Sequence, residues 1–144
     1  MRAFKLWGSV LLAAVSANSV FAANQPGIDT RLVGQWQGQS DIRPENRGNC
    51  QFKFRTVQRT PDGQYVVTYF SDETKQKKIG EVKGRWWSAD TTLYMQPPGV
   101  TGKPESYRYY MIDKNTIRFE NTEFDIGAAC PDDNTQIDSR IVQE

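Results

Sequence analysis

From Leu32 to Val142 the sequence is a succession of short runs rich in Val, Ile, Thr and aromatic residues, broken at close intervals by turn-forming residues. The runs are Leu32–Ile42, Cys50–Gln58, Tyr65–Ser71, Lys78–Trp87, Thr92–Gln96, Ser106–Ile112, Thr116–Glu120, Phe124–Ala128 and Thr135–Val142. Between them lie Pro61-Asp62-Gly63, Ser88-Ala89-Asp90, Pro97-Pro98-Gly99 and Asp113-Lys114-Asn115. Apolar residues recur at every second position, as in Cys50, Phe52 and Phe54, in Tyr107, Tyr109 and Met111, and in Ile117 and Phe119. Phe124 and Ile126 repeat the pattern, as do Ile137, Ser139 and Ile141. Residues two apart on a strand share a face, so the alternation predicts half-buried strands, with Gln51, Lys53 and Arg55 turned to water. No run after the N-terminus holds a 3.6-residue apolar period over ten positions, so crossover helices are not expected. The fold class is all-β and antiparallel.

Eight or nine such strands avoid exposed edges by closing into a barrel or by stacking as two sheets. Short sequential turns favour a single up-and-down barrel of about eight strands. A sandwich would ordinarily need longer Greek-key connections, and the one long loop is Gln96–Glu105.

The N-terminus has a different character. Arg2 and Lys5 precede an apolar stretch centred on Leu11–Val15, and Val20-Phe21-Ala22 places small residues where a signal peptidase reads them. This is the layout of a secretory signal peptide, 1–22, cleaved after Ala22, which predicts a secreted or periplasmic protein. A membrane anchor is disfavoured, because Ser16, Asn18 and Ser19 interrupt an apolar core shorter than a span needs. Residues 23–30 then form an N-terminal extension and residues 31–144 the barrel domain.

Without 1–22 the chain has 16 basic and 17 acidic residues, and it is only about one-third hydrophobic. That balance gives no electrostatic footprint for nucleic acid, and no stable membrane insertion is expected. A thin core gains from a covalent staple. Cys50 and Cys130 are the only two cysteines, and in an exported chain they most simply form one disulfide. A loop that long is worth about 4.5 kcal/mol in the chain-entropy model, before native strain is subtracted.

Leu32-Val33-Gly34-Gln35-Trp36, at the head of the first strand, resembles the Gly-x-Trp signature that opens lipocalin and related calycin barrels. The resemblance implies a lipocalin-like barrel whose Trp packs at the closed end, with an Arg of the last strand across its ring. Arg140 matches that partner, and Gly34 leaves room for the packing. A cation–π contact of this kind contributes roughly 0.5–2 kcal/mol. The second lipocalin motif and the usual C-terminal helix have no counterpart, so the likeness is to a small bacterial member.

The chain has no histidine, which excludes a Ser-His-Asp or Cys-His site, and the cysteines are assigned to a disulfide. Asp132, Asp133 and Asp138 form the densest acidic group and are assigned to a solvated loop, with no metal site. Lys75-Gln76-Lys77-Lys78 is assigned to an edge-protecting charged turn. No enzyme and no cofactor are expected. The aromatic residues carry the functional expectation. A binding protein would hold a small apolar or amphipathic ligand among Trp36, Phe52, Phe54, Tyr69, Trp86, Tyr107 and Tyr109. Adjacent Trp86 and Trp87 must face opposite ways, and the outward one marks a surface for a protein partner. The alternative function is therefore a protein-binding module, such as an inhibitor of a secreted enzyme, acting through loops at the barrel mouth.

Overall fold

A computed structural model describes residues 27–46, 48, 50, 53–123 and 135–143. The strands are β1 Gly34–Ser40, β2 Phe54–Arg59, β3 Gln64–Phe70, β4 Lys78–Ala89, β5 Thr92–Gln96, β6 Glu105–Asp113, β7 Thr116–Asn121 and β8 Thr135–Arg140. Each is antiparallel to the next and β1 also pairs with β8, so the sheet closes into one barrel in meander order. The run Phe124–Ala128 and the whole signal-like segment 1–22 lie outside the described residues.

Turn chemistry sets the hairpins. In the β2–β3 turn Gly63 takes φ +83°, and Thr60 both donates to and accepts from Gln64. Asp90 takes the left-handed conformation between β4 and β5, which its short polar side chain tolerates. In the β6–β7 turn the Asp113 carboxylate accepts from the Asn115 amide. In the β3–β4 loop the Asp72 carboxylate accepts from the amides of Gln76 and Lys77.

The barrel is not walled evenly. β4 pairs with β3 along Lys78–Arg85 but with β5 only over Arg85–Ala89. Among the described strands, Lys78–Gly84 is therefore flanked on one side only, and Val82 is 37% exposed although it sits opposite buried Val67. Lys78, Glu81 and Lys83 charge this free stretch, as exposed strand edges commonly are. The core is packed from Leu32, Trp36, Val57, Tyr65, Val67, Trp86, Leu93, Met95, Tyr109, Ile117 and Phe119.

The register corrects which face of β2 looks inward. Trp36 pairs with Val57, Gly38 with Arg55, and Gln39 with Phe54. Trp36 points into the barrel, so Arg55, Val57 and Arg59 do too, and all three are buried. Phe54 lies on the outside, half-buried in a shallow groove with Gln37, Gln39, Lys75 and Ile137. The apolar alternation of Phe52 and Phe54 pointed the other way because it counted Arg55 as solvent-facing. On β8 the inward residues include buried Asp138 and Arg140, whereas Ser139 is exposed. Asp138 is thus no part of a solvated acidic loop. Asp132, Asp133, Phe52 and Cys130 fall outside the described residues, while Cys50 is buried.

Candidate functional site

The two ends of the barrel are built differently. One end is a floor. A 3-10 turn, Thr30–Leu32, crosses it, and the Asp29 carboxylate accepts from the Arg31 amide at its start. Leu32 is fully buried beneath the sheet, and its carbonyl accepts from the Trp36 indole at 3.0 Å. The Arg140 guanidinium lies over the Trp36 ring, 4.1 Å from its centroid, and donates to the carbonyls of Val33 (2.8 Å) and Arg31 (2.7 Å). Gly34 makes this possible. Its φ is +124°, and a Cβ there would sit 2.7 Å from Arg140 Nη1. Trp86 donates to the Thr60 carbonyl, and Tyr109 donates to Asp29 at 2.8 Å and to the Asp90 carbonyl. Arg31, hydrogen-bonded to Asp29, holds that carboxyl down at about 2, and burial pushes the Tyr109 hydroxyl up to about 12.

The other half holds a cavity of about 60 Å³. Arg55, Val57, Arg59, Tyr65, Val67 and Tyr69 line one side of it, and Val82, Leu93, Met95, Glu105, Tyr107 and Phe119 the other. At ~10–15 Å³ per water this is space for roughly four waters, far below the ~300 Å³ at which drug-sized pockets begin. Glu105 and Val82 are exposed, so the lining reaches solvent at the gap beside β4. The Tyr107 hydroxyl, raised by burial, donates to Glu105 at 3.0 Å.

Charge distinguishes this cavity from an apolar one. Asp138 is fully buried, and its Oδ1 accepts from Arg55 Nε (3.0 Å) and Nη2 (2.7 Å). Its Oδ2 accepts from Arg59 Nη2 at a long 3.5 Å. Gly38 gives the carboxylate its place, since a Cβ there would lie 2.0 Å from Oδ1. Both guanidinium carbons stand over the Phe119 ring, Arg55 at 5.8 Å and Arg59 at 5.1 Å from its centroid. Two cations thus share one anion, and the cluster has a net charge of +1. Burial pulls Arg55 down, but Asp138 outweighs it and the net shift is upward. Burial pulls Arg59 down to about 10, opposed by Asp138 and reinforced by repulsion from Arg55. Arg59 Nε and Nη1 are buried without a hydrogen-bond partner among the described residues. Two cations this strongly basic bind and orient anions at neutral pH but do not exchange protons there.

Of the seven residues expected around a ligand, Tyr69 and Tyr107 line the cavity. Trp36, Trp86 and Tyr109 belong to the packed floor, where protein groups already satisfy the Tyr109 hydroxyl. Phe54 is outside the barrel wall, and Phe52 is not among the described residues. Trp87 faces outward and stacks on its cross-strand neighbour Tyr94, with centroids 5.6 Å apart and planes 9° apart. Sequence reasoning missed Arg55, Arg59 and Asp138. One signal was available: Arg140, placed over Trp36, is an inward residue, so Asp138 two positions earlier must also point inward and needs a buried cation.

Comparison with models of known protein families gives no match, and comparison with curated proteins gives none. The eight-stranded antiparallel barrel is consistent with a lipocalin-like fold.

Proposed function

We propose that the protein is an exported, lipocalin-like binding protein, not an enzyme, that takes the end of one small amphipathic molecule into the open half of its barrel. The observation that carries this reading is the cavity wall. Val57, Val67, Leu93, Met95 and Phe119 offer apolar surface, while Arg59 offers unused donors and Tyr69 and Tyr107 lie at the same wall. Pockets that bind small molecules combine such surfaces. A wholly apolar ligand fits less well, because it would leave the Arg59 donors desolvated and unpaired. The volume admits only a few heavy atoms, so a longer ligand would extend outward past Val82 beside the free stretch of β4. Gly34, Trp36 and Arg140 support membership of the calycin group, and residues 1–22 support export to a compartment where Cys50 and Cys130 are joined.

Titration with short-chain alcohols, amides and carboxylates of two to eight carbons tests the reading by heteronuclear NMR. Saturable shifts are expected at Val67, Tyr69, Leu93 and Tyr107, with Trp36 and Trp86 unmoved. If no member of the series shifts the cavity residues, the carrier reading fails. A second reading, a protein-binding module such as an inhibitor of a secreted enzyme, then takes its place, favoured by the outward Trp87–Tyr94 stack.

A further inference from the structure

We infer that the cavity is a receptor for one compact monoanion of carboxylate size, which completes the Arg55–Asp138–Arg59 cluster by accepting from Arg59. The inference rests on the binding reading above and narrows it to one ligand chemistry. Arg59 is 2% exposed, yet only Nη2 has a partner, and that one is 3.5 Å away. Its Nε and Nη1 have none among the described residues. A buried guanidinium with two idle nitrogens is costly, since each desolvated donor forfeits the hydrogen bonds it made to water. The other inward arginines are better used: Arg55 puts two nitrogens on Asp138, and half-buried Arg140 puts two on backbone carbonyls. Arg59 is the exception, and it is the one that borders the cavity with its fork incompletely used.

Charge and size select the guest. The Arg55–Asp138–Arg59 cluster itself carries one positive charge. The lining's other carboxylate, Glu105, is exposed at the mouth and accepts from Tyr107, so one negative charge beside Arg59 neutralises the buried cluster. A dianion such as sulfate would instead leave a net negative charge buried beside Asp138, besides crowding a space of about 60 Å³. Cations are repelled by the two arginines. An uncharged amide can accept a hydrogen bond but does not neutralise the charge. Carboxylates suit guanidinium groups in both charge and fork geometry. Phe119 backs the two cations, and Val67, Leu93 and Met95 stand ready for a short aliphatic tail.

The test uses the mature protein at pH 7 and constant ionic strength, followed by the Arg59 Nε–H resonance and by melting temperature. Probes are acetate, butyrate and octanoate, with butyramide and sulfate as controls. The carboxylates should saturate, shift the Arg59 Nε–H signal and raise the melting temperature, with butyramide and sulfate at least tenfold weaker. Equal affinity for all three carboxylates would identify a free small anion as the guest. Affinity rising with chain length would identify the head group of a longer amphiphile. Arg59→Met should fold, because Arg55 and Asp138 remain a neutral pair, and should lose carboxylate binding at least tenfold while leaving the Trp36 environment unchanged. Butyramide binding as tightly as butyrate, or carboxylate binding undiminished in Arg59→Met, overturns the inference and leaves the binding reading standing. If no anion moves the Arg59 Nε–H signal the inference also fails, and the uncharged alcohols and amides then judge the binding reading separately.

Discussion

At the closed end Arg140 lies over Trp36 and donates to two backbone carbonyls, whereas in the open half Arg59 reaches one carboxylate oxygen at 3.5 Å and leaves two nitrogens idle. The floor is complete as it stands: Leu32, Trp36, Trp86 and Tyr109 are buried, and each polar tip has a protein partner. The open half is not complete, since it retains a cavity and, in the Arg55–Asp138–Arg59 cluster, one more cation than anions. A fold lowers its free energy by satisfying its buried polar groups, and the incompletely used Arg59 is the observation on which the proposed anion site rests. The same residue type is thus tied to backbone carbonyls at one end and faces a cavity at the other.

The largest expected effect comes from removing the anion that holds the open half together. Asp138→Ala would leave two buried guanidinium groups without a carboxylate and should cost about 3–5 kcal/mol in urea unfolding. A loss below about 1 kcal/mol would mean that the cluster is solvated and the contrast between the ends is false. Next in size is the staple. Reduction of a Cys50–Cys130 disulfide should lower stability by about 2–4 kcal/mol, and the oxidised protein should contain no titratable thiol when denatured. Two thiols in that assay would dispose of the pairing.

At the floor, Arg140→Ala removes a ring contact and two hydrogen bonds and should cost about 1–3 kcal/mol. Near-neutrality there would show that Arg140 follows the floor's packing and does not secure it. The smallest effect is a pH dependence. Asp29 sits near 2, below its ordinary 3.8, because Arg31 and Tyr109 favour its charged form. A carboxyl lowered on folding adds stability above its unfolded pKa, and that stability is lost as pH falls from about 4 toward 2. Asp29→Asn should flatten the urea midpoint across this window, and an unchanged acid limb would remove Asp29 from the floor's account.

Much of the wall was legible from local signals. The hairpins at Pro61-Asp62-Gly63 and Asp113-Lys114-Asn115 fall where the turn residues stand, and seven of the expected runs correspond to observed strands besides the long first one. The floor was legible through Gly34, Trp36 and Arg140. The site was not. Tyr69 and Tyr107 were placed in it, but Phe54 was placed inside when it is outside, Arg55 was placed in water and Arg59 was not singled out. On β2 either face could be the inner one by apolar content, since Phe52 and Phe54 compete with Val57 flanked by Arg55 and Arg59.

Alternation and turn spacing by themselves determined an antiparallel meander, because strand periodicity and hairpin geometry depend on residues close together in the chain. They also determined where the barrel begins, since Gly34 and Trp36 act within a few residues of the 3-10 turn they pack on. Only the tertiary structure decided which face of β2 is interior, because that rests on Asp138, 83 positions away from Arg55. A strand can bury arginine once closure of the barrel brings a carboxylate and an aromatic face to meet it, and no local pattern records that meeting. The cavity's opening depends on the same closure: β5 ends before it can pair with Lys78–Gly84, and Val82 in that stretch lines the cavity that Arg59 also lines.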